Sequence, residues 1–285
     1  MQETMRIEPR SLSVAHYLRP DLIPRTLWRY RGLIRQLTIR QVQARYRGAA
    51  LGLLWSFLLP LIMLAVYTFV FGVVLGSRWP NAVSQSTAGF ALTLYAGLIV
   101  YGLFSETLGL APNLIAGNVS YVKRVVFPLE VLAVCALGAA LVQALIGVAV
   151  LLLGSLIFTY TVSPTLVWFP LVLLPLLPLT LGLAWWLASL GVYLRDTGQV
   201  IGVVLQVLMF LSPIFYSIED KPFAFQVAMR ANPLTVIVVN ARNTLLWGQR
   251  PEWSWLAAVT VISLIVLQLG YAWFMKTKRG FADVL

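Results

Sequence analysis

Residues 51–77 read LGLLWSFLLPLIMLAVYTFVFGVVLGS and contain no charged side chain. About 20 apolar residues in a helix cross the roughly 30 Å hydrocarbon core of a bilayer, and this stretch is longer than that. Five further stretches have the same character. The sequence therefore predicts about six membrane spans, at residues 51–77, 89–112, 129–158, 166–193, 199–217 and 254–275.

The spans are predicted to be helices, because backbone groups in lipid need internal hydrogen bonds and the alternation of a membrane β-barrel is missing. With 60% hydrophobic and 11% charged residues and a mean hydropathy of +0.85, the chain needs lipid as its solvent. It is predicted to form one all-α membrane domain over residues 1–285, with no cleaved targeting peptide. Prolines within or at the ends of the spans predict kinks or breaks, at Pro60, Pro112, Pro170, Pro175, Pro178 and Pro213.

Lys and Arg are distributed unequally between the segments that join the spans. With the N-terminus inside, the cytoplasmic segments hold 16 of these residues and the outer segments hold 5. Because cytoplasmic loops collect Lys and Arg, both termini are predicted to be cytoplasmic. The net charge of +11 is concentrated at span ends, which argues against a nucleic-acid-binding surface.

Apolar residues recur in residues 22–45 at the spacing of one face of a helix. Their apolar side chains fall on one face, and arginines cluster away from it: Ile23, Leu27, Tyr30, Ile34 and Leu37 against Arg25, Arg29, Arg40 and Arg47. This pattern predicts an amphipathic helix in the cytoplasmic interface. A basic anchor attracted to anionic lipid is the alternative.

Residues 218–253, between the fifth and sixth predicted spans, are too apolar for a simple hydrated loop. They predict a pair of short helices dipping into the outer leaflet, which requires that protein or a water cavity cover their polar ends. Asn232 followed by Pro233 predicts the start of one of them, with Asn as the N-cap and Pro in the first turn. A plain surface loop is the alternative.

The motifs of soluble catalysis are missing from the sequence. None of the four lysines follows a glycine, which excludes a P-loop. Cys135 is the single cysteine and His16 the single histidine, so we expect no intrachain disulfide, no metal site and no catalytic residue. Glu106 lies inside a span without an obvious intramembrane partner. It either binds a cation or proton, or forms a buried hydrogen bond.

Aromatic side chains are frequent in the first and fifth spans. Tyr67 and Phe71 are four residues apart and so share a helix face. Such faces stack on the C–H faces of sugar rings, which suits a sliding polymer, but packing against lipid explains them equally well. The candidates for such a path are Trp55, Tyr67, Phe71, Phe210, Phe215 and Tyr216.

Five stretches, in order along nearly the whole chain, resemble the ABC-2 type permeases that export polysaccharides such as O-antigen, capsules and teichoic acids. They are RYRGAALGLLWSFLLPL (45–61), YVKRVVFPLEVL (121–132), LRDTGQVIGVVLQVLMFLSPIFY (194–216), NPLTVIVVNAR (232–242) and RGFADVL (279–285).

The resemblance implies a multi-pass subunit of the bacterial inner membrane that forms a homodimer and exports an undecaprenyl-linked or other lipid-linked glycan. Two copies of a separate subunit would bind ATP and Mg, and this chain would bind no cofactor and catalyse no reaction. Residues 118–128 would dock on the ATPase, with Tyr121, Val122, Lys123, Phe127 and Pro128 as the coupling residues. Residues 219–247 would form an outer gate that includes Asn232, Pro233 and Arg242.

The resemblance leaves two interpretations open for four basic residues. They bind the lipid pyrophosphate or the partner subunit, or they only set the topology. These residues are Arg45, Arg47, Lys123 and Arg124.

Two other functions also stay open for the chain. One is an ABC-2 exporter of a drug, haem or small lipid, and the other is a polytopic enzyme acting on polyprenyl-linked sugars. A non-catalytic assembly or anchoring subunit is a third alternative.

Overall fold

The computed structural model describes residues 17–46, 52–79, 86–123, 127–158, 162–218 and 221–285. Within these ranges the chain is helical and holds no strand, as predicted. The helices are α1 (Leu22–Arg29), α2 (Arg31–Tyr46), α3 (Trp55–Tyr67), α4 (Thr87–Leu110), α5 (Asn113–Ala116), α6 (Val119–Lys123), α7 (Val131–Phe158), α8 (Phe169–Leu173), α9 (Leu176–Tyr193), α10 (Thr197–Leu211), α11 (Phe223–Arg230), α12 (Pro233–Leu245), α13 (Trp253–Thr277) and α14 (Phe281–Val284).

Five helical stretches in the described ranges are long and apolar enough to cross a bilayer. They are Phe57–Val74, Thr87–Leu110, Val131–Phe158, Pro164–Tyr193 and Trp253–Val284. The first continues α3 as a π-helix at Thr68–Val74. The fourth is a 3₁₀-helix (Pro164–Trp168) followed by α8 and α9, with Pro175 at the break between the last two, where the sequence predicts an interruption.

The fifth predicted span, 199–217, corresponds to the shorter helix α10, which has 15 residues. It ends at Leu211, and Ser212 adopts an extended conformation immediately before Pro213. Proline disfavours helical backbone in the residue that precedes it. Residues 212–218 therefore form a turn instead of continuing the helix, and this turn carries two of the aromatic candidates.

The amphipathic N-terminal segment is divided into α1 and α2, where the sequence predicts one helix, because Tyr30 departs from helical geometry (φ −101°, ψ 15°). The predicted faces are nevertheless segregated. Ile23 is buried and Leu27, Ile34 and Leu37 are half-buried, whereas Arg25, Arg29 and Arg40 are exposed. Arg47 lies outside the described residues. α2 packs against α7, where Gly138 leaves room for Thr38.

The described parts of both terminal regions lie at the same end of the bundle. Gln268 near the end of α13 donates to the Tyr17 carbonyl (2.8 Å), and Arg279 donates to the Tyr17 hydroxyl (3.3 Å). Thr26 of α1 lies 3.4 Å from the Tyr271 hydroxyl. We name the part of the bundle that contains Tyr17, α1 and the chain from Gln268 to the C-terminus the terminal end.

The core is built around α4, whose residues are mostly buried, and around the pair α9 and α13. α12 packs against α4 and α8, and every residue from Leu234 to Leu245 is buried. α3 and α10 differ from these helices, because most of their side chains are exposed and α10 buries Leu205 alone. Two apolar helices of the described chain therefore lack a protein cover on one side.

Candidate functional site

A cavity of about 530 Å³ lies between α3, α4 and α7. It extends along α4 from Tyr95 to Glu106, which is about 16 Å at 1.5 Å per residue. Its walls are mainly apolar, with a few polar groups, and they are lined by Arg45, Trp55, Leu59, Pro60, Met63, Tyr67, Tyr95, Leu98, Ile99, Gly102, Leu103, Glu106, Ala140, Gln143, Ala144 and Gly147. Apolar cavities of 300–1,000 Å³ with a few convergent polar groups are typical of binding sites.

Arg45 and Glu106 form an ion pair at one mouth of this cavity. Their side chains are 31% and 24% exposed. The end of α2 supplies Glu106 with a partner from 61 positions away in the chain, which the local sequence does not indicate. This pair gives the cavity a charged mouth beside its apolar walls.

An aromatic cluster forms where α3 meets the turn after α10. Phe215 stacks on Phe71, with ring centroids 4.5 Å apart, and meets Tyr67 edge-on at 5.2 Å. Phe210 contacts Phe215 at 5.4 Å. Phe215 is buried, whereas Phe210 is 54% exposed. We name Tyr67, Phe71, Phe210 and Phe215 the aromatic cluster; it brings together four side chains that the sequence places in two separate spans.

The other two aromatic candidates lie beside this cluster and not in it. Trp55 lines the cavity on the same helix as Tyr67, twelve residues earlier. Tyr216 donates to the Phe210 carbonyl (3.0 Å) and packs against Ile218, Met229 and Val239. Because Tyr67 belongs to both the cavity wall and the aromatic cluster, the cluster adjoins the cavity.

The ends of α12 hold the turn that carries Phe215. The Asn232 side chain accepts from the Leu234 backbone N–H (3.0 Å), which confirms the predicted N-cap, with Pro233 in the first turn. The same side chain donates to the Ser212 hydroxyl (3.1 Å). Arg242 is buried and donates to the Pro213 (2.6 Å) and Ile214 (2.9 Å) carbonyls. Two of the three predicted gate residues, Asn232 and Arg242, therefore contact the turn between α10 and α11.

The described residues of the segment predicted to couple to an ATPase, 118–123 and 127–128, lie at the terminal end. Tyr121 and Phe127 stack with ring centroids 4.4 Å apart and planes only 9° from parallel. Lys123 is exposed, Val122 is half-buried and Pro128 is buried. Arg124 lies outside the described residues. α14 packs against α6, so the C-terminal residues border this segment.

Glu130 and Lys278 form a contact at the terminal end that the sequence does not predict. Lys278 Nζ lies 2.6 Å from Glu130 Oε2, and Trp185 donates to the Glu130 carbonyl (2.9 Å). Glu130 directly follows the apolar pair Pro128 and Leu129 at the start of a span, which is a signal for a buried and paired carboxylate. The distant partner is not encoded in that local pattern.

The arrangement offers a surface for passage or binding and lacks the parts of a catalytic centre. Within the described ranges no three His, Cys, Asp or Glu side chains lie close enough to hold a metal ion. The polar side-chain groups of the cavity and the aromatic cluster are phenols, an indole N–H, an amide and one charge pair. Such groups orient a ligand or let it slide; they do not form the nucleophile and base pairs of bond chemistry.

Comparison with known proteins gives consistent matches. A profile of the family described as ABC-2 type transporter matches residues 32–246. The O-antigen export system permease protein RfbA of Myxococcus xanthus is 28% identical over 262 residues, which cover 91% of this chain and 97% of the relative. A protein of the same name from Klebsiella pneumoniae is 23% identical over 252 residues, covering 87% and 93% respectively.

Proposed function

Because this chain belongs to the ABC-2 type transporter family, we propose that it is the membrane subunit of an exporter that moves a lipid-linked polysaccharide of the O-antigen kind out of the cell. It is a multi-pass protein of the bacterial inner membrane and a transport subunit, not an enzyme. The similar proteins of Myxococcus xanthus and Klebsiella pneumoniae are named as O-antigen export permeases, which supports the choice of substrate class.

The cavity and the adjoining aromatic cluster carry this proposal. The proposed path begins at the Arg45–Glu106 pair, follows Trp55 and Tyr67 along α3, and ends at the exposed ring of Phe210, which packs on the buried Phe215. Arg45 is the group that meets the phosphates of the lipid carrier. The aromatic rings further along offer flat faces to sugar C–H groups, while the sugar hydroxyls stay in water.

A small-molecule exporter of the same family is the nearest competing function. The substrate of a small-molecule exporter needs a closed, shape-matched pocket. A polymer needs a surface that offers similar contacts to each successive unit and tolerates small differences in position. The rings of Tyr67, Phe71, Phe210 and Phe215 meet at several different angles. Such a lining favours the polymer, because stacking requires ring faces and not one fixed hydrogen-bond pattern.

The protein works as a homodimer in this proposal. α3 and α10 expose rows of large apolar side chains on the side away from the core, including Ile62, Val203 and Val207. A second copy related by a two-fold axis would cover the same patch on both chains. The exposed side of the aromatic cluster would then face its counterpart across the path.

Energy comes from a separate ATP-binding subunit, of which two copies would bind at the terminal end. The sequence has no P-loop of its own. The charge asymmetry supports a cytoplasmic location of the terminal end, where α1 and α6 lie together with Tyr17 and the C-terminal residues. Segment 219–247 would then lie at the opposite side and form the outer gate.

Substitution of the aromatic cluster tests the proposed path. Phe71→Leu and Phe215→Leu keep apolar volume but remove the stacked ring faces, so we expect several-fold less polysaccharide at the cell surface. Co-expression with the ATPase of the same export system, followed by quantification of surface glycan and of ATPase activity in membranes, provides the measurement. Basal ATP hydrolysis should be retained, because the substitutions lie far from the terminal end.

Phe158→Leu is the matched control, since Phe158 is 62% exposed at the end of α7 and lies outside the cavity and the aromatic cluster. Its export should equal that of the parent chain. If both cluster variants exported normally, the aromatic cluster would not line the path. If glycan export persisted without this chain while resistance to a small toxic compound was lost, the small-molecule function would replace our proposal.

A further inference from the structure

Arg242, in α12, is a buried arginine with 1% of its surface exposed. Its Nε donates to the Thr93 carbonyl of α4 (3.0 Å), its Nη1 to the Pro213 carbonyl (2.6 Å) and its Nη2 to the Ile214 carbonyl (2.9 Å). A buried guanidinium is costly unless its donors are satisfied. Three carbonyls from two separate parts of the chain are therefore tied to one side chain of α12.

The space around the guanidinium is shaped to fit it. A Cβ placed on Gly97 would lie 2.7 Å from Arg242 Nη2, so any larger residue at 97 would displace the arginine. On another side, the Trp79 ring lies 4.1 Å from the guanidinium carbon and forms a cation–π contact. The three carbonyls accept from three separate nitrogens of the planar guanidinium, whereas a lysine ammonium carries all its donors on one nitrogen and does not match that spacing.

The carbonyls that accept from Arg242 belong to the residues directly before Phe215. Pro213 and Ile214 form the turn after α10, and the next ring in the chain stacks on Phe71 and Tyr67. A shift of this turn would move the Phe215 ring relative to α3. The position of α12 is thus mechanically connected to the aromatic cluster through one side chain.

We infer that Arg242 is a positioning residue that sets Phe215 in the aromatic cluster, so that a movement of α12 is transmitted to the path lining. The geometric part of this inference stands on the contacts alone; its consequence for transport rests on the proposed function. Arg242 does not touch the substrate. It sets the position of the buried Phe215 ring, against which Tyr67, Phe71 and the exposed Phe210 pack.

Intrachain cross-linking tests the positioning directly and needs no transport assay. In a Cys135→Ala background, cysteines replace Phe71 and Phe215, and a short membrane-permeant bifunctional thiol reagent joins them. The cross-linked fraction of inserted protein reports the distance between α3 and the turn. We expect Arg242→Lys to lower this fraction several-fold, although the charge is kept. The exposed Arg250 provides the control, and Arg250→Lys should leave the fraction unchanged.

Gly97→Ala gives a second route to the same displacement with the arginine retained. Its methyl group would force the guanidinium away, so the cross-linked fraction should again fall. Combined with Arg242→Lys, the alanine should add little, because the smaller ammonium no longer occupies that space; such non-additivity marks residues in direct contact. Since either variant alone answers the question, poor folding of one of them does not block the test.

Export assays on the cysteine-free versions separate the two levels of the argument. Reduced cross-linking together with reduced glycan export, at normal membrane insertion, supports the whole inference. Reduced cross-linking with normal export would refute the proposed path and leave the positioning intact. Unchanged cross-linking in both Arg242→Lys and Gly97→Ala would overturn the positioning role, whatever happened to export.

Discussion

Arg45 and Glu106 are the residue pair whose role depends most on charge and least on packing. Both side chains are partly exposed, at 31% and 24%. Ion pairs in such positions contribute about 1 kcal/mol or less to stability. Removing either charge should therefore leave the fold intact, and any effect on transport would come from the electrostatics of the cavity mouth.

Opposite effects are expected from neutralising the two partners. Glu106→Gln frees Arg45 for an anionic headgroup, so the concentration of lipid-linked glycan that half-maximally stimulates the partner ATPase should fall by up to about fivefold, corresponding to roughly 1 kcal/mol. Arg45→Gln should raise it by a similar factor. The measurement is ATPase activity of the complex in lipid vesicles with added glycolipid.

Glu252→Gln is the control for this pair, since it breaks the comparable Arg230–Glu252 ion pair (3.3 Å) away from the cavity. It should not change the half-maximal concentration. A shift in the same direction for Glu106→Gln and Arg45→Gln would mean that the pair is structural and that Arg45 does not bind the substrate.

The helix pair α9 and α13 shows how elements of this molecule meet without a water-driven hydrophobic effect. Helices in lipid associate through close packing, for which small residues at the contact are needed. A Cβ on Gly270 would lie 2.1 Å from the Gly182 carbonyl oxygen, and one on Gly182 would lie 2.5 Å from the Val266 carbonyl oxygen. The backbones themselves are in contact here, and no side-chain rotation relieves an added methyl group.

Gly270→Ala should therefore destabilise the protein by about 1–3 kcal/mol, the usual cost of overpacking a tight contact. Thermal or denaturant unfolding of the purified chain in detergent measures this. Gly102→Ala is the control, because nothing lies within 4 Å of its added Cβ. It should be neutral or stabilising by up to about 1 kcal/mol. Equal losses for the two variants would show that α9 and α13 are not in backbone contact.

At the scale of the whole molecule, the terminal end gathers segments from all parts of the sequence. α6 lies beside α14, and the Lys278–Glu130 pair ties the chain after α13 to the start of α7. The Tyr121–Phe127 stack closes the two described ends of the coupling segment on each other. In our proposal this surface receives the ATPase, so a change here should affect coupling and leave the spans intact.

Phe127→Ala and Lys123→Ala are expected to lower both ATP hydrolysis by the assembled complex and glycan export several-fold, with normal membrane insertion. In the parent chain, the Tyr121–Phe127 stack and the charge of Lys123 would contact the ATPase. Arg250→Ala, which removes an exposed charge outside both the coupling segment and the outer gate, serves as the control and should behave as the parent chain. Full ATPase stimulation and full export in both coupling variants would show that residues 118–128 do not couple the subunits.

The sequence by itself determined the class of molecule, the helical spans and the local caps. Each of these depends on a short-range property. Apolar run length predicts a span, the order Asn232-Pro233 predicts a helix start, and the i, i+4 spacing of Tyr67 and Phe71 predicts a shared face. Even the shortened α10 is marked in the sequence by Pro213, although the run of apolar residues around it predicts a longer helix.

Only the tertiary structure decided which of these groups meet. Arg45 pairs with Glu106, Phe215 stacks on Phe71, and Arg242 holds the carbonyls of Pro213 and Ile214. All of these contacts join residues far apart in the chain, and their side-chain types are compatible with many other partners. Helix packing selects among those partners, because close backbone approach and the need to satisfy buried donors act through space and leave no local pattern.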